Sequence, residues 1–267
     1  MAAEPIAVRI MTANVWGDYF GNPVAVREDQ LLATFTKYAP DILGLQEMTP
    51  SWYGSRLYAG LQARYAMAGI IDGSHENYVP LAYDKARFDL LAAGFERYLG
   101  TPDRSKAITY AVLQERFGRK VLAVCSTHFW WKSGAEHEQI RLENARQLSA
   151  LMRRMQAQYH CPVFAFGDLN CTVASGVFQV FAENGIQRLH GLAQEASRVS
   201  SEHGDPVLGT DGRYHGAAPT QPDACAIDHV IGLMGEQPCR VPVYQVVLDQ
   251  AALDASDHSP VYADIVL

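Results

Sequence analysis

The run Val163-Phe164-Ala165-Phe166-Gly167-Asp168-Leu169-Asn170 admits few conformations. An apolar series of strand type climbs through Val163, Phe164 and Phe166 and ends in a glycine and two polar side chains. Side chains alternate in extended backbone, so Asp168 and Asn170 are expected to share one face while Leu169 turns back into protein. A carboxylate beside a carboxamide at the exit of a buried strand can hold a metal-bound water and a substrate oxygen together. Gly, Asp and Asn are also common turn residues, and in isolation the run reads as a strand ending in a turn. Its weight comes from repetition along the chain.

Ile6, Val8 and Ile10 alternate ahead of Met11-Thr12-Ala13-Asn14, a predicted strand that delivers Asn14 to its far end. Val26, Leu31, Leu32, Phe35 and Tyr38 recur at roughly helical spacing and stop before Pro40. Asp41-Ile42-Leu43-Gly44-Leu45-Gln46-Glu47 is a second short strand, ending in a carboxylate. Alone, Asn14 reads as a turn cap and Glu47 as an ordinary strand end. Hard oxygen donors on two successive strand ends suit Mg²⁺ or Mn²⁺. A helix is expected over 51–64 and strands over 65–71 and 78–83, with Glu76 a solvated charge in the loop between them. Residues 107–114 and 120–127 form a predicted hairpin around Phe117-Gly118-Arg119, and its second strand ends at His128. A lone His there is more often structural than catalytic, but His128 is the third polar residue delivered in this way.

The clearest helix spans 136–159, where Ile140, Asn144, Ala145, Leu148, Met152, Met155 and Tyr159 form one core-facing stripe. His137 and Arg141, near its start, could face a substrate phosphate, against the ordinary reading of solvated positions. A short helix over 177–183 closes at Gly185. Residues 193–226 are polar and rich in Gly and Pro, the composition of a long functional or mobile loop. A further strand, Ala226 to Ile231, carries Asp228, with His229 a strand side chain of no catalytic part. Ser256-Asp257-His258 precedes the last strand, 261–266, and Asp257 beside His258 is a natural metal-ligand and acid–base pair.

A chain of 267 residues, 48% hydrophobic, can bury a large core, and without a linker or repeat residues 1–267 read as one domain. The net charge of -7 argues against a sequence-independent nucleic-acid binder. It does not exclude an enzyme that touches a few phosphates through a metal. Cys125, Cys161, Cys171, Cys225 and Cys239 are odd in number and lack metal-type spacing, so free, mostly buried thiols are expected. No run is long enough to span a membrane. Strand-like sequence starts within a few residues of Met1, leaving no room for a signal peptide, though Met1-Ala2-Ala3-Glu4-Pro5 could be a new start after a removed one. The compartment, cytoplasmic or exported, stays open, and a monomer is the expectation.

Asn14, Gln46-Glu47, Thr127-His128, Gly167-Asp168-Leu169-Asn170, Ile227-Asp228-His229 and Ser256-Asp257-His258 follow the order seen in the endonuclease/exonuclease/phosphatase superfamily. The chain resembles that group, which includes deoxyribonuclease I, abasic-site endonucleases, sphingomyelinases, inositol-polyphosphate phosphatases and deadenylases. The resemblance runs from about Ile6 to Val266. It implies an α/β four-layer sandwich, two packed and mostly antiparallel sheets with helices outside, and a site at one edge. It further implies that Glu47 is the principal metal ligand with Asn14 and Asp257 around the same centre. Asp168 and Asn170 match the pair that holds attacking water and phosphoryl group, His258 the catalytic His, Asp228 its partner and His128 the phosphate-contacting His. Glu76 sits where the deoxyribonuclease branch pairs a Glu with that second His. Tyr214-His215-Gly216 resembles the family's Thr-Phe-His-Gly-Phe segment but lacks the Thr and the second Phe.

The implied chemistry is hydrolysis at phosphorus, where the site must neutralise charge and align water opposite the leaving group. Trp16, Trp130 and Trp131 flank these motifs and could stack on a base or sugar, or pack in the core. Arg141 and His215 are further candidate substrate contacts. The acidic balance favours a small phosphorylated metabolite, lipid head group or short oligonucleotide over long duplex DNA. A nuclease acting on DNA or RNA is the main alternative, and a non-catalytic binding member of the same fold the lesser one.

Overall fold

The computed structural model describes residues 5–69, 76–235 and 239–267. The reading of the first residues as a trimmed leader, and the expected placements of Ile70, Ile71 and His75, lie outside them. Two large sheets pack face to face. The first is seven-stranded in the order β10 (Ala193–Ala196), β14 (Arg240–Val246), β15 (Val261–Val266), β1 (Ala7–Asn14), β2 (Ile42–Gln46), β4 (Leu81–Asp84), β3 (Tyr65–Ala68). The second is six-stranded in the order β5 (Phe88–Arg97), β6 (Ala107–Glu115), β7 (Val121–His128), β8 (Val163–Asp168), β13 (Asp228–Leu233), β9 (Gln187–Arg188). A two-stranded hairpin, β11 (Val207–Leu208) and β12 (Tyr214–His215), stands apart from both.

Strand alternation builds the layers. Val8 and Ile10 of β1, Leu122 and Val124 of β7, and Phe164 and Phe166 of β8 share one core between the sheets. The intervening Met11 and Ala13 face α1 (Glu28–Tyr38), α2 (Pro50–Tyr53), α3 (Arg56–Arg64) and α6 (Gln250–Ala255). Ala123, Cys125, Val163 and Ala165 face α4 (Ala135–Tyr159) and α5 (Gly176–Glu183). Both faces of the central strands are thus covered, which is why Val163 to Phe166 is apolar without a break. Burying each such Phe stabilises the fold by about 1.5–3 kcal/mol. The sheets approach closely at Gly44, where a Cβ would stand 2.3 Å from the Phe166 ring.

Most strand neighbours are antiparallel, but each sheet has a parallel pair near its centre. β1 runs parallel to β2 with Asn14 beside Gln46, and β7 runs parallel to β8 with His128 beside Asp168. Parallel strands end at the same edge, so their C-terminal residues emerge together. β13 starts at that edge, with Asp228 opposite Asp168. β15 starts there too, with Val261 opposite Thr12, so the preceding Asp257-His258 lies across the mouth of both pairs.

The fold departs from the sequence reading in several places. The strand expected over 65–71 stops at Ala68, and the one expected over 78–83 is Leu81–Asp84. Residues 193–226 are not one structureless loop: β10 adds a parallel strand beside β14, and the β11–β12 hairpin is set within it. Strands β5 and β14 and helix α6 went unanticipated. β5 is an edge strand with a bulge between Leu90 and Ala92, which breaks the alternation that marks a strand. The five cysteines are free, three of them buried. No helix among the described residues is long and apolar enough to cross a membrane.

Candidate active site

The polar residues delivered by the strand ends form a buried cluster spanning the two sheets. Asn14, 2% exposed, donates from Nδ2 to Glu47 Oε1 and to Asp168 Oδ2, both at 3.2 Å. Its Oδ1 is taken by the Trp16 N–H at 3.0 Å, which fixes the amide with its NH₂ toward the two carboxylates. Gly17 N–H donates to Glu47 Oε2 at 2.8 Å. Below, Gln46 joins the sheets, accepting from Thr12 Oγ1 at 3.0 Å and donating to Ser126 Oγ at 3.3 Å.

Three of the strand exits turn through left-handed backbone at residues other than glycine: Trp16 at φ 56°, Glu47 at 58° and Asn170 at 49°. Each costs on the order of 1–3 kcal/mol, which the surrounding hydrogen bonds must over-determine. The strand alternation expected for Asp168 and Asn170 is therefore not what brings them together. β8 ends at Asp168, and a turn carries Asn170 back so that its N–H donates to Asp168 Oδ1 at 2.8 Å. Asn170 Nδ2 donates to the Phe129 carbonyl, and Leu169 is fully buried. Gly167 is required here, since at its φ of 156° a Cβ would stand 1.8 Å from the Thr127 carbonyl oxygen.

Asp228, 2% exposed, accepts at Oδ2 from His258 Nδ1 at 2.7 Å and from Ser201 Oγ at 2.5 Å. Its Oδ1 is buried with no hydrogen-bond partner among the described residues. Burial opposes charge on both members of this pair. For His258 the charges of Asp228 and Asp257 overcome it and hold the imidazole pKa well above its ordinary value. For Asp228 the same imidazole, with the Ser201 hydroxyl, holds the carboxyl below its ordinary value. Asp168 has no such counter-ion in contact. Burial, with Asp228 adding, pushes it up to about 7. Asp257 is pushed up to about 6 by burial, with Glu47 and Asp205 adding. His128, 2% exposed, is held well below its ordinary pKa by burial and by Lys106, so its ring is neutral.

Ligand atoms of Asp168, Asp228 and His258 all lie within 4.8 Å of one another, a buried group that could hold a metal ion. Glu47 and Asp257 raise the count of hard oxygen donors at the same edge, and the raised pKa of Asp257 is partly the mutual repulsion of two carboxylates. An anionic, oxygen-rich set with an unspent buried Asp228 oxygen fits a divalent cation.

Other expected contacts lie elsewhere. Glu76 is exposed and pairs with Arg97 at 2.7 Å, not with His128. The His128 ring instead faces Lys106 Nζ, 2.8 Å from Nε2 and 3.2 Å from Nδ1. Arg141 is neither solvated nor open to substrate: it is buried, pairs with Glu138 at 2.9 Å and donates to the Trp130 and Lys132 carbonyls. Trp130 is buried with its indole N–H on His137 Nδ1, whereas its neighbour Trp131 is 56% exposed. Trp16 is buried against the Tyr214 ring and the Arg27 guanidinium. His215 is exposed on the hairpin and faces Asp211 at 3.2 Å. His229 is a buried strand side chain between Arg188 and the Cys171 carbonyl.

Three residues of the cluster escaped the sequence reading. Lys106 precedes β6 in a stretch with no motif, and Ser201 lies in a polar segment. His203 follows it, tied by its N–H to the Asp257 carbonyl at 3.1 Å. Both His203 ring nitrogens are buried, and burial holds the imidazole pKa down at about 4 although the Gly204 main chain acts the other way. Only pairing between 201–203 and 257–259, invisible in one dimension, brings this segment to the site.

Comparison with known proteins agrees with this fold. No curated protein matches the chain by sequence. Among solved structures, an endonuclease/exonuclease/phosphatase family protein from Bacteroides thetaiotaomicron superposes with a TM-score of 0.77 at 16% identity, covering 99% of each chain. The human Nocturnin catalytic domain with bound sulfate gives 0.73 at 16% identity, over 98% of this chain and 96% of that one. A mannosyl-6-phosphatase from Bacteroides thetaiotaomicron gives 0.70 at 17% identity, over 97% of this chain and 100% of that one. At such identities the likeness establishes the fold. The sequence model of the Endonuclease/Exonuclease/phosphatase family matches residues 11–258, a span running from β1 to His258. The chain belongs to that family, whose members are phosphohydrolases or nucleases and generally depend on a divalent metal.

Proposed function

We propose that the protein is a divalent-metal-dependent phosphoric ester hydrolase acting by in-line attack of water. The observation that carries this reading is the buried pairing of His258 with Asp228 beside an Asp168 that has no counter-ion in contact. One imidazole is held charged and one carboxyl is poised near neutrality, the division of labour that acid–base chemistry at phosphorus needs.

Glu47 and Asp257 would hold Mg²⁺ or Mn²⁺, with Asn14 orienting Glu47 and Asp168 about it. That ion would supply charge neutralisation at the phosphoryl oxygens and a lower pKa for water. Asp168 is the base: with a pKa near 7 it can take a proton from the attacking water at neutral pH. Asn170 is placed by the turn to hold a phosphoryl oxygen. His258, with Nδ1 committed to Asp228, has Nε2 left to donate to the charge that builds on the phosphoryl group. His128, neutral, stands beside Asp168 with its Nε2 3.4 Å from Oδ2, between that carboxyl and Lys106.

The substrate is read as a small phosphorylated compound or short oligonucleotide. The net charge of -7 supports this over a long duplex, and a structurally similar chain is a mannosyl-6-phosphatase. The test is turnover of p-nitrophenyl phosphate and bis-p-nitrophenyl phosphate with Mg²⁺ or Mn²⁺, beside Asp168→Asn and a chelator. Metal-dependent turnover lost in the variant supports the reading. No turnover of either ester, or of a panel of sugar phosphates and oligonucleotides, by a folded, metal-loaded protein would overturn it in favour of a binding role.

A further inference from the structure

We propose that Lys106 is the phosphate-binding cation of this site and biases it toward terminal phosphate monoesters over diesters; this rests on the hydrolase reading above. Lys106 is 5% exposed. An ammonium group taken out of water to that degree is normally paired with a carboxylate, because leaving it bare costs several kcal/mol. Lys106 has no such partner among the described residues. Its Nζ reaches only the His128 ring, at 2.8 Å from Nε2 and 3.2 Å from Nδ1. A neutral imidazole accepts one hydrogen bond, which leaves two of the three ammonium protons unspent.

The position is set by the sheet. Lys106 lies two residues before Ile108, whose register partner is Thr127, so it meets His128 at the edge where Asp168 ends. Glu47 and Asp168 act on it through space without contact. Once a divalent ion neutralises Glu47, the acidic groups left to act on the ammonium are Asp168 and Asp103, and neither is in contact with it. A phosphoryl group held by Asn170 and His258 supplies that contact. Coulomb attraction scales with the charge of the ligand, so a fixed cation added to a metal favours a dianionic monoester over a monoanionic diester. The competing role is charge balance, in which Lys106 merely offsets Glu47 and Asp168 while no ion is bound.

The experiment uses the full chain loaded with Mg²⁺ and the variants Lys106→Met, Lys106→Gln and Lys106→Arg. Calorimetric titration with inorganic phosphate reads binding without turnover, and steady-state kinetics read the two nitrophenyl esters. Either neutral variant that folds should bind phosphate at least about tenfold more weakly, since a charge-assisted hydrogen bond is lost. Its kcat/KM should fall about tenfold further for the monoester than for the diester, while Lys106→Arg keeps phosphate binding. Unchanged phosphate affinity, equal losses on both esters, or tighter Mg²⁺ binding with phosphate unaffected would each overturn the proposal. A wild-type protein that hydrolyses neither ester defeats the hydrolase reading alone, because the phosphate titration still reports on Lys106.

Discussion

In the seven-stranded sheet the parallel pair β1–β2 ends in Asn14 and Glu47; in the six-stranded sheet the parallel pair β7–β8 ends in His128 and Asp168. The two exits are built alike, yet their chemistry differs. The first offers oxygen donors held by main-chain N–H groups, with Asp257 across its mouth. The second offers groups whose protonation the protein has tuned: a neutral His128, an Asp168 near 7 and an Asp228 kept ionised. Contacts that stitch the halves together include Asn14 to Asp168, Gln46 to Ser126 and His258 to Asp228. One architecture used twice can therefore serve two functions, because the function lies in the last residue or two of each strand.

The sharpest way to break this division is to mutate one carboxylate on each side. Asp168→Asn should lower kcat by about 10³-fold and should not be rescued by excess Mg²⁺, since the lost group is the proposed base. Glu47→Gln should lose comparable activity at low Mg²⁺ and regain much of it as the metal is raised. Rescue of both, or of neither, would erase the distinction between the sheets. Next in size is Asp228→Asn, which leaves the buried His258 charge unpaired. It should cut kcat about 10²-fold and lower stability by about 3 kcal/mol, read by thermal melts and rates on the same sample.

Smaller again is a pH effect on the metal side. Asp257 is raised to about 6, so a proton competes with the cation as pH falls through that value. Mg²⁺ affinity should be about fourfold weaker at pH 5.5 than at pH 7.5, and the Asp257→Asn variant should lose that dependence. Titration calorimetry at the two values decides it. The smallest expectation is Glu76→Gln, which should change kcat/KM by less than about twofold, because an exposed ion pair with Arg97 is worth little. A large loss there would mean that the second-sheet site extends to that loop.

Asn14, Glu47, His128 and Asp168 were legible because each ends or follows a short apolar run, and Asp228 and His258 because each opens or precedes one; a buried strand forces its polar terminus to the sheet edge. Their convergence was legible only through the resemblance, since no periodicity says which edges meet. The substrate contacts fared worse. Trp16, Trp130 and Arg141 stand next to motifs, but adjacency in sequence is met here by side chains that brace the loops from behind. Lys106, Ser201 and His203 were missed for the converse reason: they reach the site through pairing with distant segments, and neither composition nor spacing marks them.

The pairing of β1 with β15 has a consequence for how the molecule comes into being. Ala7 pairs with Val266 and Thr12 with Val261, so β1 cannot meet this partner until β15, far along the chain, has been made. His258 lies just ahead of β15. Long-range pairing of this kind is slow, and a chain in mid-synthesis exposes the edge of β1 and its apolar face meanwhile. The carboxylate cluster cannot be completed until residues 257–266 have been made. A chain cut before β15 should expose the β1 edge that β15 covers and lack the strand that follows His258.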